Sequence, residues 1–275
     1  MEPAAVLLPP LKSTALHALV IQVGAAGRGT LPLTLGRAIH AQVMHWLNLG
    51  NSDLANAIHS SQESPLSISG LIGYRRKAGT KPDDDFYFRI ALLNGDLIDP
   101  LLSGLEQWGT KPISLGQLPF VIRSIDSLPG THPWVGSSDY ALLAKTPKIS
   151  GDITLNFLSP TSFKHSQTIQ PFPLPELVFS NLLRRWNAFA PENLQFPAVE
   201  WQSLTSAYEL KTHALKLEGG AEIGTQGWAR YRFLDAEQAK IATILAHFAF
   251  FAGVGRKTAM GMGQALLLSE SQQRN

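Results

Sequence analysis

The stretch Phe251 to Gln264 (FAGVGRKTAMGMGQ) sets two adjacent cations, Arg256 and Lys257, among glycines at 253, 255, 261 and 263. Glycine opens the φ > 0 region and lets a second backbone approach closely. Exposed N–H groups beside fixed positive charge suit an anion such as a phosphate backbone. Two nucleotide-binding patterns do not fit. A Walker loop needs glycine directly before Lys-Ser/Thr and a helix after it, whereas here Arg256 precedes Lys257 and the loop follows the helix-like run Ile241 to Phe251. A Rossmann fingerprint needs a third glycine where the chain has Thr258. The residues alone leave two readings, an anion-binding loop or a glycine-rich turn with two solvated charges.

The composition bounds what such a loop could serve. The chain has 275 residues and a hydrophobic fraction of 44%, enough for one large domain or two ordinary ones with real cores. With 23 Lys+Arg against 21 Asp+Glu, the net charge is only +2, so any nucleic-acid binding must come from a local basic face. Cysteine is absent, which removes disulfides, thiolate metal sites and cysteine nucleophiles, and fits a reducing compartment. The N-terminus carries Glu2 and prolines at 3, 9 and 10 in place of a secretory signal, and residues 1–15 read as a loose leader. The apolar run Ile241 to Val254 is interrupted by His247 and is too short to span a bilayer. A soluble, cytoplasmic protein is expected.

The elements that must position the loop follow from periodicity. His17 to Val23 predicts a buried strand, followed by the turn-rich Gly24 to Gly29. Ile39, Val43, Trp46 and Leu47 define one face of a helix over about Leu35 to Leu49. Asn51 or Ser52 caps a short helix, Asp53 to His59. Pro65 to Tyr74 and Phe86 to Leu93 read as paired strands with Arg75, Arg76, Lys77 and Lys81 at the tip between them; Leu97 to Trp108 reads as a helix and Ile113 to Ile125 as a closing strand. Ser127 to Ser138 is the expected linker. A second round follows: strand Ile149 to Leu158 with a turn at Ser159-Pro160-Thr161-Ser162-Phe163, helix Glu176 to Phe189, a hairpin of Ala207 to Leu217 and Ala221 to Phe233, helix Ala236 to Phe251 capped by Asp235, and strand Gln264 to Leu268. Each round is β-α-β-β-α-β. The predicted fold is α+β, with two tandem ferredoxin-like domains over 1–126 and 138–275 and a C-terminal Gly-rich loop.

With that order in place, the glycine loop and the strand after it resemble the CRISPR-associated repeat-RNA endoribonucleases, the Cas-six family of the RAMP superfamily. The resemblance rests on Gly253, Gly255, Arg256, Lys257, Gly261 and Gly263, with support from Leu54-Ala55-Asn56-Ala57-Ile58-His59 and Phe157-Leu158-Ser159-Pro160-Thr161. It covers most of the chain. It implies cleavage of a precursor CRISPR transcript within its repeat, without metal or other cofactor. The ribose 2′-OH attacks the adjacent phosphate, leaving a 2′,3′-cyclic phosphate and a 5′-OH. Such chemistry needs a base for the 2′-OH, an acid for the departing 5′-oxygen and cations for the added phosphate charge.

Among eight histidines, His59 stands where the family carries its histidine, and His40, beside Ile39 on the first helix, is the second candidate; which is acid and which is base stays open. Arg28, in the first glycine-rich turn, and Lys257 are candidates for transition-state charge. The RNA-binding set is Gly253, Gly255, Arg256, Lys257, Gly261 and Gly263 of the loop, the hairpin-tip cations Arg75, Arg76 and Lys77, and Arg184 and Arg185, of which at least one must point away from the core. Cations on a projecting tip gain affinity through counterion release, independent of sequence. Neither unit carries a good RNP1 consensus.

Two other readings stay open. A non-catalytic RAMP subunit would hold CRISPR RNA within an effector complex, with other subunits as partners, and would not need His59 or His40. A metal-dependent hydrolase would need clustered ligands; the acidic run Asp83-Asp84-Asp85 reads more simply as a solvated turn. No metal is predicted, and the chain is expected to act as a monomer or homodimer.

Overall fold

The first strand explains the first unit. β1 (Ala15–Ala25) is apolar on both faces and lies in the middle of a sheet, paired on one side with Asp85–Leu92 and on the other with Leu118–Asp126. The computed structural model describes residues 13–149, 152–217 and 220–269; residues 1–12, most of the expected leader, lie outside them. Packing divides the chain into two units. The first runs through Ser138 and includes Ala259–Gly261; the second takes Asp139–Thr258 and resumes at Met262.

In unit 1, α1 (Gly36–Gly50) buries Ile39, Val43, Trp46 and Leu47, the predicted stripe, and Trp46 stacks on Phe88 at 6.3 Å. The Asn51 side chain accepts from the Leu54 N–H and starts α2 (Ser52–Ser60). The chain then forms β2 (Leu66–Ile68), β3 (Ile72–Gly73) and β4 (Asp85–Leu92). The expected continuous strand over Pro65 to Tyr74 is broken because the Ser69 hydroxyl, not a main-chain carbonyl, accepts the Arg89 N–H. A helix, α3 (Ile98–Trp108), leads to β5 (Ile113–Leu115) and β6 (Leu118–Asp126). The sequence reading had Ile113 to Ile125 as one strand. Gly116 at φ 68° instead reverses the chain and pairs Leu115 with Leu118. The expected linker is anchored rather than loose: the buried Arg89 donates to the Trp134 carbonyl at 3.0 Å, Val135 is buried, and β7 (Gly136–Asp139) pairs with β1.

Unit 2 begins with the short α4 (Tyr140–Ala144) and β8 (Ile153–Thr161). The predicted turn at Ser159-Pro160-Thr161 is strand. Pro160 is tolerated because the register with the facing strand shifts between Thr225 and Gly227, a bulge of the kind where proline survives in a sheet. An unpredicted hairpin follows, β9 (Phe163–His165) with β10 (Thr168–Gln170). Next come α5 (Pro175–Phe189), β11 (Ser203–Leu217), β12 (Gly220–Phe233), α6 (Ala236–Ala252) and β13 (Ala265–Leu267). The Asp235 side chain caps α6 through the Gln238 N–H. The sheet order is β11-β12-β8-β13. Both sheets therefore place the first strand between the third and fourth of a β-α-β-β-α-β round, the ferredoxin-like arrangement. Trp186 meets Tyr140 at 5.0 Å and Phe248 at 5.2 Å, tying α4, α5 and α6 into one core. Among the described residues no helix is long and apolar enough to cross a membrane.

Helix α1, which carries His40, is held by close packing on α3. A Cβ built on Gly104 would lie 1.8 Å from the Trp46 carbonyl oxygen. Gly104→Ala should therefore force the helices apart and destabilise unit 1 by roughly 1–3 kcal/mol, the usual range for overpacking. Urea unfolding followed by Trp fluorescence checks this; an unchanged midpoint would show that the helices yield freely.

Candidate active site and nucleic-acid interface

His40 and His59 come together in unit 1. His40 is half-buried on α1. Its pKa lies below the ordinary 6.5, first because burial disfavours the charged ring and second because the charge of nearby His59 opposes a second proton. His59 is exposed in the last turn of α2. The junction at Asn51, where one helix ends and the next starts, brings the two within electrostatic range of each other. His45, on the same helix, is exposed and edge-on to Trp108 at 5.3 Å. Arg28 is exposed in the turn after β1, next to Gly29, which bridges to Thr80.

Two of the hairpin-tip cations are held by contacts within unit 1. Arg75 donates to the Pro32 carbonyl at 2.7 Å, and burial lowers its pKa. Arg76 pairs with Asp84 at 3.0 Å and lies over the Tyr74 ring at 5.6 Å. Lys77 is exposed. The acidic run is taken up by ion pairs, Asp84 with Arg76 and both Asp83 and Asp85 with Arg123 at 3.2 Å. The Arg76 and Lys81 contacts hold the Asp84 carboxyl below its ordinary range, the Lys81 backbone N–H contributing most.

The glycine loop differs from an open cradle of N–H groups. The Gly253 N–H bonds the Ala249 carbonyl as α6 ends, and the Val254 N–H bonds the Gly263 carbonyl at 2.7 Å, closing the loop at its base. The Gly255 N–H goes to the Asn181 side chain at 2.8 Å and the Arg256 N–H to the Ser162 carbonyl at 2.9 Å. Gly261 and Gly263 donate to Ile68 and Pro160 carbonyls. The glycines thus serve close approach and positive φ, and the loop's outward chemistry lies in its side chains. Arg256 and Lys257 both pair with the buried carboxylate of Glu222, which also accepts from the Ser162 hydroxyl at 3.0 Å.

Arg184 and Arg185 separate as adjacent helical positions must. Arg184 is on the exposed side of α5, with its pKa lowered by burial of its stem. Arg185 is buried at 4% exposure, which pulls its guanidinium down to about 10, Arg184 beside it adding to the shift. It donates to the Thr258 hydroxyl at 3.0 Å. Arg185 is therefore placed to brace the loop from inside, not to meet a ligand at the surface. Glu222, Ser162 and Asn181 were absent from the sequence-based candidates. Each looks like an ordinary strand or helix residue locally, and only the fold of unit 2 brings them to the loop.

The fold of the chain has counterparts among solved structures. The family model for the CRISPR-associated endoribonuclease Cas6 matches residues 155–265. The product complex of Cas6 (TTHB231), a Thermus thermophilus protein, superposes with a TM-score of 0.80 at 25% identity, covering 93% of this chain and 100% of its own. The chain is similar to the Cas6 family, through the family model over residues 155–265 and through the fold over most of its length. A product complex of Cas6 (TTHA0078) reaches a TM-score of 0.73 at 28% identity, and a substrate mimic complex of the same protein 0.71 at 27%; each covers 93% of this chain and 100% of the other. A RAMP protein described as binding different RNA substrates shares the fold at 16% identity and a TM-score of 0.60. No curated protein matches the chain. The matched family model is that of a CRISPR-associated endoribonuclease.

Gly255, at φ 85°, has the Ser162 carbonyl oxygen 2.4 Å from where a Cβ would stand, whereas Gly70 has open space there. Gly255→Ala should lower the stability of unit 2 by roughly 1–3 kcal/mol through clash and strain, and Gly70→Ala should be nearly silent. Thermal melts of the two variants side by side test the contrast; equal shifts would refute it.

Proposed function

We propose that the protein cuts precursor CRISPR RNA within its repeat by a metal-independent transesterification. The observation that carries this reading is the His40–His59 pair, because the chemistry needs one neutral imidazole and one proton donor at the same phosphate. His40, with its pKa below 6.5, is the neutral partner at pH 7 and takes the proton from the ribose 2′-OH. The 2′-oxygen then bonds to phosphorus as the bond to the 5′-oxygen breaks, and His59 delivers the proton that the leaving oxygen requires. The products are a 2′,3′-cyclic phosphate and a 5′-OH. Arg28 is the proposed partner for the added negative charge. Arg256 and Lys257, with the tip residues Arg75, Arg76 and Lys77 and the surface Arg184, hold the RNA backbone, with the loop glycines setting the course of the chain. The product and substrate mimic complexes of the Cas6 relatives support RNA as the ligand.

A labelled repeat RNA from the same genome, incubated in EDTA, tests the reaction. Cutting is expected to persist in EDTA, to stop when the nucleotide upstream of the mapped site is 2′-deoxy, and to fall by about 10² or more in His40→Ala and His59→Ala. Dependence on an added divalent cation would overturn the mechanism. Tight binding without cutting would instead make the chain an RNA-holding RAMP subunit.

The pH profile gives a separate check on the roles. A base whose pKa is lowered stays deprotonated until the pH drops below its folded value, so the acid limb of kcat/KM should lie below 6.5. His40→Ala should abolish that limb along with most of the rate. An acid limb that survives the substitution would move the base elsewhere.

A further inference from the structure

Glu222 is a buried carboxylate to which the Cas6 comparison assigns no role. It lies near the start of β12, only 7% exposed, and three groups converge on it. Ser162 Oγ donates to Oε1 at 3.0 Å, an Arg256 guanidinium nitrogen sits 3.1 Å from the same oxygen, and Lys257 Nζ pairs with Oε2. The two cation side chains keep 31% and 29% of their surface exposed, so each is gripped on one side and open on the other. Arginine has five N–H donors and lysine three, leaving several for a further anion after one carboxylate is satisfied.

The backbone is shaped to make this grip. Lys257 has φ 54°, a left-handed conformation that the loop elsewhere gives to Gly253, Gly255, Gly261 and Gly263. A non-glycine residue held there is strained, and such strain persists where surrounding contacts over-determine it. Ser162 joins the side-chain and main-chain parts, its carbonyl accepting the Arg256 N–H while its hydroxyl holds Glu222.

We infer that Glu222 is a positioning residue that orients Arg256 and Lys257 for one register of the RNA backbone and halves their combined charge, so that the loop favours the cognate repeat over RNA in general. The inference rests on the reading of the loop as an RNA-binding element. An ungripped pair would carry two full charges on long, freely rotating stems and would attract any phosphate chain by counterion release. Gripped, the pair and its carboxylate carry a net single charge whose donors point in fixed directions. Discrimination then comes from geometry rather than from charge alone.

The test measures binding of two RNAs over a salt series: the repeat carrying 2′-deoxy at the scissile nucleotide, and an unrelated single strand of equal length. Glu222→Gln is expected to tighten the unrelated strand several-fold at low salt and to steepen its log–log salt dependence by about 0.7, the value for one more single-strand phosphate. The preference for the repeat should fall by a similar factor. In an Arg256→Ala/Lys257→Ala background the same substitution should change neither affinity. Ser162→Ala, which loosens the carboxylate without removing it, should shift the preference in the same direction by less.

An unchanged preference in Glu222→Gln would overturn the inference. So would an equal effect in the cation-free background, or a parallel loss of both RNAs with a lowered melting temperature, since those outcomes mark a purely structural carboxylate. If Glu222→Gln does not fold, an unchanged preference in Ser162→Ala decides against it. A wild-type protein that does not prefer the repeat, or an Arg256→Ala/Lys257→Ala protein that binds as well as wild type, would instead bring down the RNA reading of the loop itself.

Discussion

A carboxylate taken out of water is tolerated only if cations and hydrogen-bond donors replace what the water supplied. Glu222 meets that demand with Lys257, Arg256 and Ser162, and the rest of the loop follows from it. Lys257 turns through a left-handed conformation to reach the carboxylate, Gly255 must lack a side chain so that the chain can pass Ser162, and Asn181 receives the amide exposed by that passage. On the opposite side of the same turn, a buried arginine holds Thr258. One charge of each sign lies behind the loop, and its basic surface is the outer side of a neutralised interior.

The histidine pair depends on a different kind of constraint. Helices α1 and α2 meet at Asn51, whose side chain caps the second helix while its N–H closes the first on the Leu47 carbonyl. No flexible connection separates the two rings, and the stripe of Ile39, Val43, Trp46 and Leu47 fixes the rotation of the first helix against its sheet. The two histidines are therefore held by core packing and a cap, and the loop by buried charge.

The element order, the α1 stripe, both side-chain caps and the glycine loop were legible because each is written in residues close together in the chain. The family resemblance, more than local patterning, singled out His59 and His40, each on its own. That they lie within electrostatic range of each other, however, depends on a helix junction that periodicity does not angle. The loop's cations were visible and their partner was not, since Glu222 reaches them only through strand pairing of β12 with β8. Arg185 was misplaced for a related reason: two adjacent arginines look equivalent in sequence, and only packing decides which one turns inward. The reversal at Gly116 and the strand through Pro160 were misread because a single glycine or proline is ambiguous until its neighbours' register is known.

The short segment Ala259–Gly261 belongs by packing to unit 1, where the Gly261 N–H meets the Ile68 carbonyl and Gly36 lies against the Met260 carbonyl. During synthesis this segment leaves the ribosome only after nearly all of unit 2 has been made. Domains generally fold from the N-terminal end as units while translation proceeds. Here the N-terminal unit stays short of one piece of its own packing until residue 261 has been made. The half that carries the histidines therefore waits for most of the second unit, and a nascent chain interrupted before residue 259 lacks a completed first unit.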